Sequence, residues 1–373
     1  MKVCLAAGTR PEVIKLAPIY EALACGDRLA PRWVFSGQQD ALAQQAFEAF
    51  NLSPEHCLDA PDVSASVAVR FAQLTAAFDA AWAQIAPDMV IVQGDTSTTL
   101  AAAVSAFSRR IPVAHVEAGL RTFDMNAPFP EEAWRAMVTQ IATLHLAPTD
   151  WAAANLRRAG VAPDRIVVTG NTVVDALQRM ANGTAAPVTA RAGRRLVTVT
   201  LHRRENWEPG LDNLLGALLE IRDRAPDVDF AFVLHPNPRL REVAERRLAD
   251  EARIAVLPPL AYPKFLALLR ASSLVLSDSG GVQEEAPCFG VPVLVLRDNT
   301  ERPEAVKAGV ARLIGVERRR VVLETLTLLR DPKAYAAMAR TVSPFGDGRA
   351  AERVVNAVLD CLYPEDARMV RVE

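Results

Sequence analysis

Short apolar runs alternate with longer stretches of helical period along nearly the whole chain. Val3–Ala7, Met89–Gln93, Pro112–Val116, Leu144–Ala147 and Arg165–Thr169 read as buried strands. A second series follows at Leu196–Leu201, Phe230–Leu234, Ile254–Leu257, Ser273–Ser277 and Val291–Leu296. Continuous apolar strands separated by helices predict parallel sheets covered on both faces. The repeated βα order in two blocks predicts two doubly wound α/β domains. Their boundary is placed in 181–195, ANGTAAPVTARAGRR, a small-residue stretch without apolar period. The first domain is therefore expected over 1–180 and the second over 196–344. The pattern turns helical again after Ala334 and breaks at Ser343–Gly348. A terminal helix in 345–373 is expected to return to the first domain.

Polar residues collect where ligands of such sheets bind, at the carboxyl ends of the strands. The clusters are Gly8-Thr9-Arg10, Gly94-Asp95-Thr96, Glu117-Ala118-Gly119, Gly170-Asn171-Thr172, His202-Arg203-Arg204-Glu205, His235-Pro236-Asn237, Asp278-Ser279-Gly280-Gly281 and Arg297-Asp298. A scaffold alone needs only turn residues there. Two such rims imply a catalytic cleft.

With 373 residues, 50% hydrophobic and 23% charged, the chain has apolar surface enough for two cores. A formal charge of -2 argues against a nucleic-acid or membrane-surface partner. The five cysteines are scattered, which fits a reducing compartment and offers no metal-ligand spacing. The start MKVCLAAGTRPE turns polar too early for a signal-peptide core. No apolar run approaches the roughly 20 residues that cross a bilayer. A cytoplasmic location is the expectation.

Several motifs carry candidate chemistry, each beside a plainer reading. Ser279, Gly280 and Gly281 follow a strand and open a helix, with Glu285 about one turn in. Free N–H groups there suit phosphate oxygens and the carboxylate suits ribose hydroxyls; an ordinary capped turn is the other reading. Arg10 and Lys15 flank a second strand-to-helix turn with Pro11 near the helix start, facing an anion or only solvent. Asp95, Glu117 and Glu131 lie at or just beyond strand ends. If they converge, crowding and burial raise some of their pKa values for acid/base work; otherwise they are a cap and two surface acids. His202 suits proton exchange near neutral pH, although a lone histidine is more often structural. His235 reads as a turn residue, and His115 and His145 as core histidines. Arg302, in Thr300-Glu301-Arg302-Pro303-Glu304, reads equally as a phosphate ligand or a surface ion pair, with Glu301 and Glu304 in a first helical turn. Neither a G-x-G-x-x-G after a strand nor a Walker loop occurs, and no cysteine–histidine cluster suggests zinc. The chain is expected to work without a redox cofactor or bound metal.

Together the motifs resemble one family, the non-hydrolysing UDP-N-acetylglucosamine 2-epimerases. The strings are GTRPEVIKLAP at 8–18, QGDTSTTLAAA at 93–103, HVEAGLRT at 115–122, PEEAWR at 130–135 and VTGNTVVDAL at 168–177. They continue in order as LHRREN at 201–206, HPNP at 235–238, DSGGVQEEAP at 278–287, RDNTERPEAV at 297–306 and PFGDGRA at 344–350. The resemblance implies the GT-B architecture, two Rossmann-like domains with the nucleotide held mainly by the second. It implies a UDP-sugar substrate bound by Arg10, Lys15, Arg135, His235, Phe265, Ser279, Gly280, Gly281, Glu285 and Arg302. Asp95, Glu117, Glu131 and His202 are placed around the sugar as the catalytic group. Homodimerisation is implied as well.

Two stretches depart from the family pattern. Gln38-Gln39 stands where the family usually has Gln-His, with Ala41 at a usually polar site, so activation by a second substrate molecule is not expected in its usual form. Trp134 stands where the family usually has Asn. An indole beside the sugar points to the alternative of a 2,3-diacetamido or uronic UDP-sugar. A GT-B glycosyltransferase is the further alternative.

Overall fold

The computed structural model describes residues 1–38, 40–62, 64–180, 184–201, 203, 206–207, 210–235, 237–248 and 251–365. It divides into two compact units, Met1–Gln178 with Phe345–Glu373, and Arg179–Pro344. Each is built on one parallel sheet.

The sheet of unit 1 comprises β1 (Lys2–Ala7), β2 (Ala30–Phe35), β3 (His56–Cys57), β4 (Met89–Gln93), β5 (Val113–Val116), β6 (Leu144–Ala147) and β7 (Ile166–Val168), in the spatial order β3-β2-β1-β4-β5-β6-β7. The chain winds outward to β3 and then returns to the far side of β1, so the switch point lies between β1 and β4. Val3, Cys4, Leu5, Ala6 and Ala7 of β1 are all fully buried, as a central strand with helices on both faces requires.

Unit 2 comprises β8 (Arg195–Thr200), β9 (Val228–Val233), β10 (Ile254–Leu257), β11 (Leu274–Ser277), β12 (Val293–Val295) and β13 (Ala311–Leu313), ordered β10-β9-β8-β11-β12-β13. Its switch point lies between β8 and β11. One apolar cluster, including Val197, Leu215, Phe230 and Leu294, fills the space between this sheet and its helices.

All ten expected strands are present. Three others escaped the pattern. β2 (APRWVF) is interrupted by Pro31 and Arg32; only Val34 and Phe35 pair with β3, so Pro31 sits on an open sheet edge where its missing N–H costs nothing. β3 and β13 are short edge strands, too brief to carry a period.

Residues 184–194 form no helix or strand. The terminal helix Ala350–Leu362 belongs to unit 1 and packs against the helix Arg10–Ala24. Asp175 accepts hydrogen bonds from the N–H groups of Ala350 (3.2 Å) and Ala351 (2.9 Å), which fixes the start of that helix. Among the described residues no helix is long and apolar enough to cross a membrane.

Candidate active site

Unit 1 gathers charged residues at the carboxyl ends of β1, β4 and β5. β1 gives way at Gly8 to the helix Arg10–Ala24, and the turn is tight. A Cβ on Gly8 would lie 2.1 Å from Ser36 Oγ and 2.3 Å from Thr98 Oγ1, so no larger residue fits. The Glu12 carboxylate is buried. Its Oε2 accepts from Gly8 N (2.9 Å), Thr9 N (2.7 Å) and Thr9 Oγ1 (2.8 Å), and its Oε1 from Thr96 Oγ1 (2.6 Å) and Thr99 Oγ1 (3.1 Å). One side chain thereby ties together the loops on either side of the switch point. Burial pushes its carboxyl pKa up, while the Thr96, Gly8, Thr9 and Thr99 hydrogen bonds pull it down.

One helical turn after Pro11, the Lys15 ammonium pairs with the Glu117 carboxylate, and both side chains are buried. Gln93 Nε2 donates to the same Glu117 oxygen at 2.6 Å. Glu117 directly follows β5 with φ 63. A non-glycine residue in the left-handed region is held there by its surroundings, at a cost of order 1–3 kcal/mol. Gly119, at φ 90, passes so near the helix Asp150–Arg158 that an added Cβ would lie 2.2 Å from Ala152 O.

Asp95 follows β4 and pairs with Arg135 on the helix Glu131–Ile141. Arg135 Nη1 also donates to Glu132 at 3.0 Å. His115 is buried in β5 and donates from Nε2 to the carbonyl of Gly94 (2.8 Å), just before Asp95. Burial holds its pKa down at about 4 and that of His145 at about 3, so both are neutral core histidines.

Asp95 and Glu117 each sit on a cation. The first turn of the helix Glu131–Ile141 also separates its two glutamates. Glu131 is half-buried, whereas Glu132, absent from the sequence-based set, is almost wholly buried. Trp134 is half-buried. With Val138 and Ile141 it occupies one helical stripe, at i, i+4 and i+7, that packs on the apolar cluster of Leu74, Phe78 and Leu100. Glu132, Arg135 and Thr139 form a different stripe.

In unit 2 a glycine turn after β11 lies against a buried arginine. Ser279 is the N-cap residue of the helix Gly280–Glu285. The Arg302 guanidinium lies against Gly280, where a Cβ would fall 2.4 Å from its Nη1. Arg302 donates from Nε to Glu284 (2.5 Å) and from Nη1 to Glu301 (2.5 Å); it is buried, which removes the surface-ion-pair reading. Glu301 also accepts from Arg203 Nη2 (3.1 Å) and ion-pairs with Arg297 (2.9 Å). The following helix is Pro303–Lys307 with Arg302 at its N-cap, so Glu304 alone of the two acids lies in the first turn. Glu285 accepts from Tyr262 OH (3.0 Å), and Phe265 is buried three residues along the same helix. His235 follows β9, its Nδ1 accepting from Asn237 N–H (3.0 Å) and its ring 5.4 Å from that of Trp207. Asp278 accepts from Arg203 N and Asn206 Nδ2, both at 2.9 Å, which joins the β8 and β11 loops across this switch point. His202 and Gln39 lie outside the described residues; Gln38 Oε1 accepts from Ser97 Oγ (3.1 Å) and Thr98 Oγ1 (2.8 Å).

Comparison with known proteins gives the family. The profile of UDP-N-acetylglucosamine 2-epimerase matches residues 22–359. The chain belongs to the UDP-N-acetylglucosamine 2-epimerase family. It is 38% identical over 369 residues to the UDP-N-acetylglucosamine 2-epimerase of Escherichia coli (strain K12), covering 96% of this chain and 98% of that one. The crystal structure of UDP-GlcNAc 2-epimerase from Neisseria meningitidis bound to UDP-GlcNAc superposes with a TM-score of 0.91 at 35% identity, covering 96% and 100% of the two chains. The glycotransferase of kitacinnamycin shares the fold alone, with a TM-score of 0.61 at 16% identity over 95% and 98% of the chains. The fold is therefore GT-B, and the family is one of isomerases.

Within this family's scaffold, sequence reasoning passed over Glu12, Gln93, Glu132 and Glu284, and read Glu301 only as a first-turn acid. Glu12 stands two residues after Arg10, and Glu132 directly after Glu131. Their signal was only an acid in an N-terminal turn, which is indistinguishable from capping until the third dimension supplies the partners.

Proposed function

We propose that this chain interconverts UDP-N-acetylglucosamine and UDP-N-acetylmannosamine by elimination and re-addition of UDP. The observation that carries the reading is the pairing of buried cations with the carboxylates of Asp95 and Glu117 at the ends of β4 and β5, in a chain of this family. The proton on C2 of the sugar is not next to a carbonyl, so it is not removed by simple deprotonation. Transient oxidation needs a nicotinamide, for which the sequence carries no fingerprint. In the other route a base takes the C2 proton, its electron pair forms the C1–C2 double bond, and the C1–O pair leaves with the diphosphate. Re-addition of UDP to the 2-acetamidoglucal, with protonation on the opposite face of C2, inverts that centre.

Arg302, Ser279, Gly280 and Gly281 suit the diphosphate and Glu285 the ribose. Arg10, His235 and Phe265 complete the nucleotide contacts, and Lys15 and Arg135 face the sugar. Asp95, Glu117 and Glu131 share the proton transfers, with His202 stabilising the leaving group. Packing of Trp134 on the core favours the unmodified N-acetyl sugar over a 2,3-diacetamido or uronic one. Incubation with UDP-N-acetylglucosamine in deuterated water, followed by proton NMR, tests this. UDP-N-acetylmannosamine with deuterium at C2 and little free UDP is expected. An unchanged sugar in the presence of UDP binding would refute the substrate.

A further inference from the structure

We infer that Glu132 is a positioning residue for this reaction, holding Arg135 against Asp95 and fastening the loop that carries Glu117; the inference rests on the function proposed above. Glu132 is 1% exposed. Its Oε1 accepts from the N–H groups of Thr122 (3.1 Å) and Phe123 (3.0 Å), and its Oε2 from Thr122 N (3.1 Å) and Arg135 Nη1 (3.0 Å). Phe123 is in the left-handed region at φ 64, so the carboxylate closes a loop that would otherwise relax. That loop begins six residues earlier at Glu117.

Arg135 bridges the two acids, engaging Glu132 through Nη1 and Asp95 through Nη2. Behind it, Arg121 Nη2 donates to Thr139 Oγ1 (2.7 Å), which donates to Arg135 O (2.9 Å). A planar guanidinium gripped on one side by Glu132 presents its other side in a fixed direction, which an isolated arginine does not. Glu132 itself is sealed beneath the loop by Thr122 and Phe123. Its effect reaches the chemistry through Arg135 and Asp95.

The test is a double-mutant cycle of Glu132→Gln and Arg135→Lys, read as kcat and KM for epimerisation with UDP affinity and thermal stability alongside. The amide keeps an acceptor for Thr122 and Phe123 but turns a donor toward Arg135. In folded Glu132→Gln, kcat falls at least about tenfold with KM within about threefold and UDP affinity unchanged. In the Arg135→Lys background the same change lowers kcat by less than about threefold, because the coupled element is already lost. Equal losses in both backgrounds, an unchanged kcat, or a rise in KM alone overturns the inference. Should Glu132→Gln unfold, Glu132→Asp keeps the charge beneath the loop but draws it back from Arg135, and the same split is expected. A wild-type chain that does not epimerise overturns the proposed function and this inference together; an active wild type matched by an equally active Glu132→Gln overturns this inference alone.

Discussion

Gly280→Ala sets the Arg302 cradle against itself. The added methyl would lie 2.4 Å from Nη1 and 2.7 Å from Cζ of Arg302, about an ångström inside contact. The guanidinium has nowhere to retreat. It is bound to Glu284 and Glu301 at 2.5 Å each and is 6% exposed. A retreat of an ångström breaks at least one charge-assisted bond, at about 1.5–3 kcal/mol. Alanine in place of glycine in a helix returns up to about 1 kcal/mol, leaving a net loss of roughly 1–2 kcal/mol. For a unit of this size that lowers Tm by about 2–8 °C. A displaced Arg302 also costs UDP affinity, about tenfold for each 1.4 kcal/mol. Gly281→Ala is the contrast one residue away, because its Cβ meets nothing closer than 3.8 Å. There stability is expected to hold or rise by up to about 1 kcal/mol. Differential scanning fluorimetry and titration calorimetry with UDP read both effects. Equal Tm values for the two variants, with UDP affinity undiminished in Gly280→Ala, would refute the reasoning.

The buried histidines predict a pH dependence of stability. His115 and His145 have folded-state pKa values of about 4 and about 3, below the ordinary 6.5, because burial penalises their charged forms. The unfolded chain therefore binds more protons below pH 6.5, and stability falls as pH drops from 6.5 toward 4, by about 2 kcal/mol per histidine at pH 5. Urea midpoints at pH 7.5 and pH 5 check this, and a flat profile contradicts it. Trp134→Asn is expected to destabilise by about 1–3 kcal/mol through lost packing, while kcat/KM for UDP-N-acetylglucosamine stays within about threefold. A tenfold change in kcat/KM at unaltered Tm would place the indole at the sugar after all.

What the sequence determined by itself is the layered architecture and the rim on which chemistry is displayed. Strands buried on both faces must be apolar along their whole length, so β1, β4, β8 and β11 announce themselves. The loops that follow must be polar, which points to Gly8–Arg10, Gly94–Thr96 and Asp278–Gly281. The motifs along that rim also sufficed for the family. Edge strands such as β3 and β13 were not legible, because an edge is specified by its neighbour more than by its own period.

Partnership was decided only by the tertiary structure. Glu131 and Glu132 are adjacent and chemically alike. A rotation of 100° along one helix leaves the first half-buried and binds the second to Arg135 and two loop amides. Lys15 and Glu117 lie 102 residues apart yet form one buried pair, and Thr96 reaches Glu12 across 84. Burial makes such pairs obligatory, since an unpaired charge in the interior is expensive. A linear sequence names the charges that need partners, and the winding of β4 beside β1 selects them.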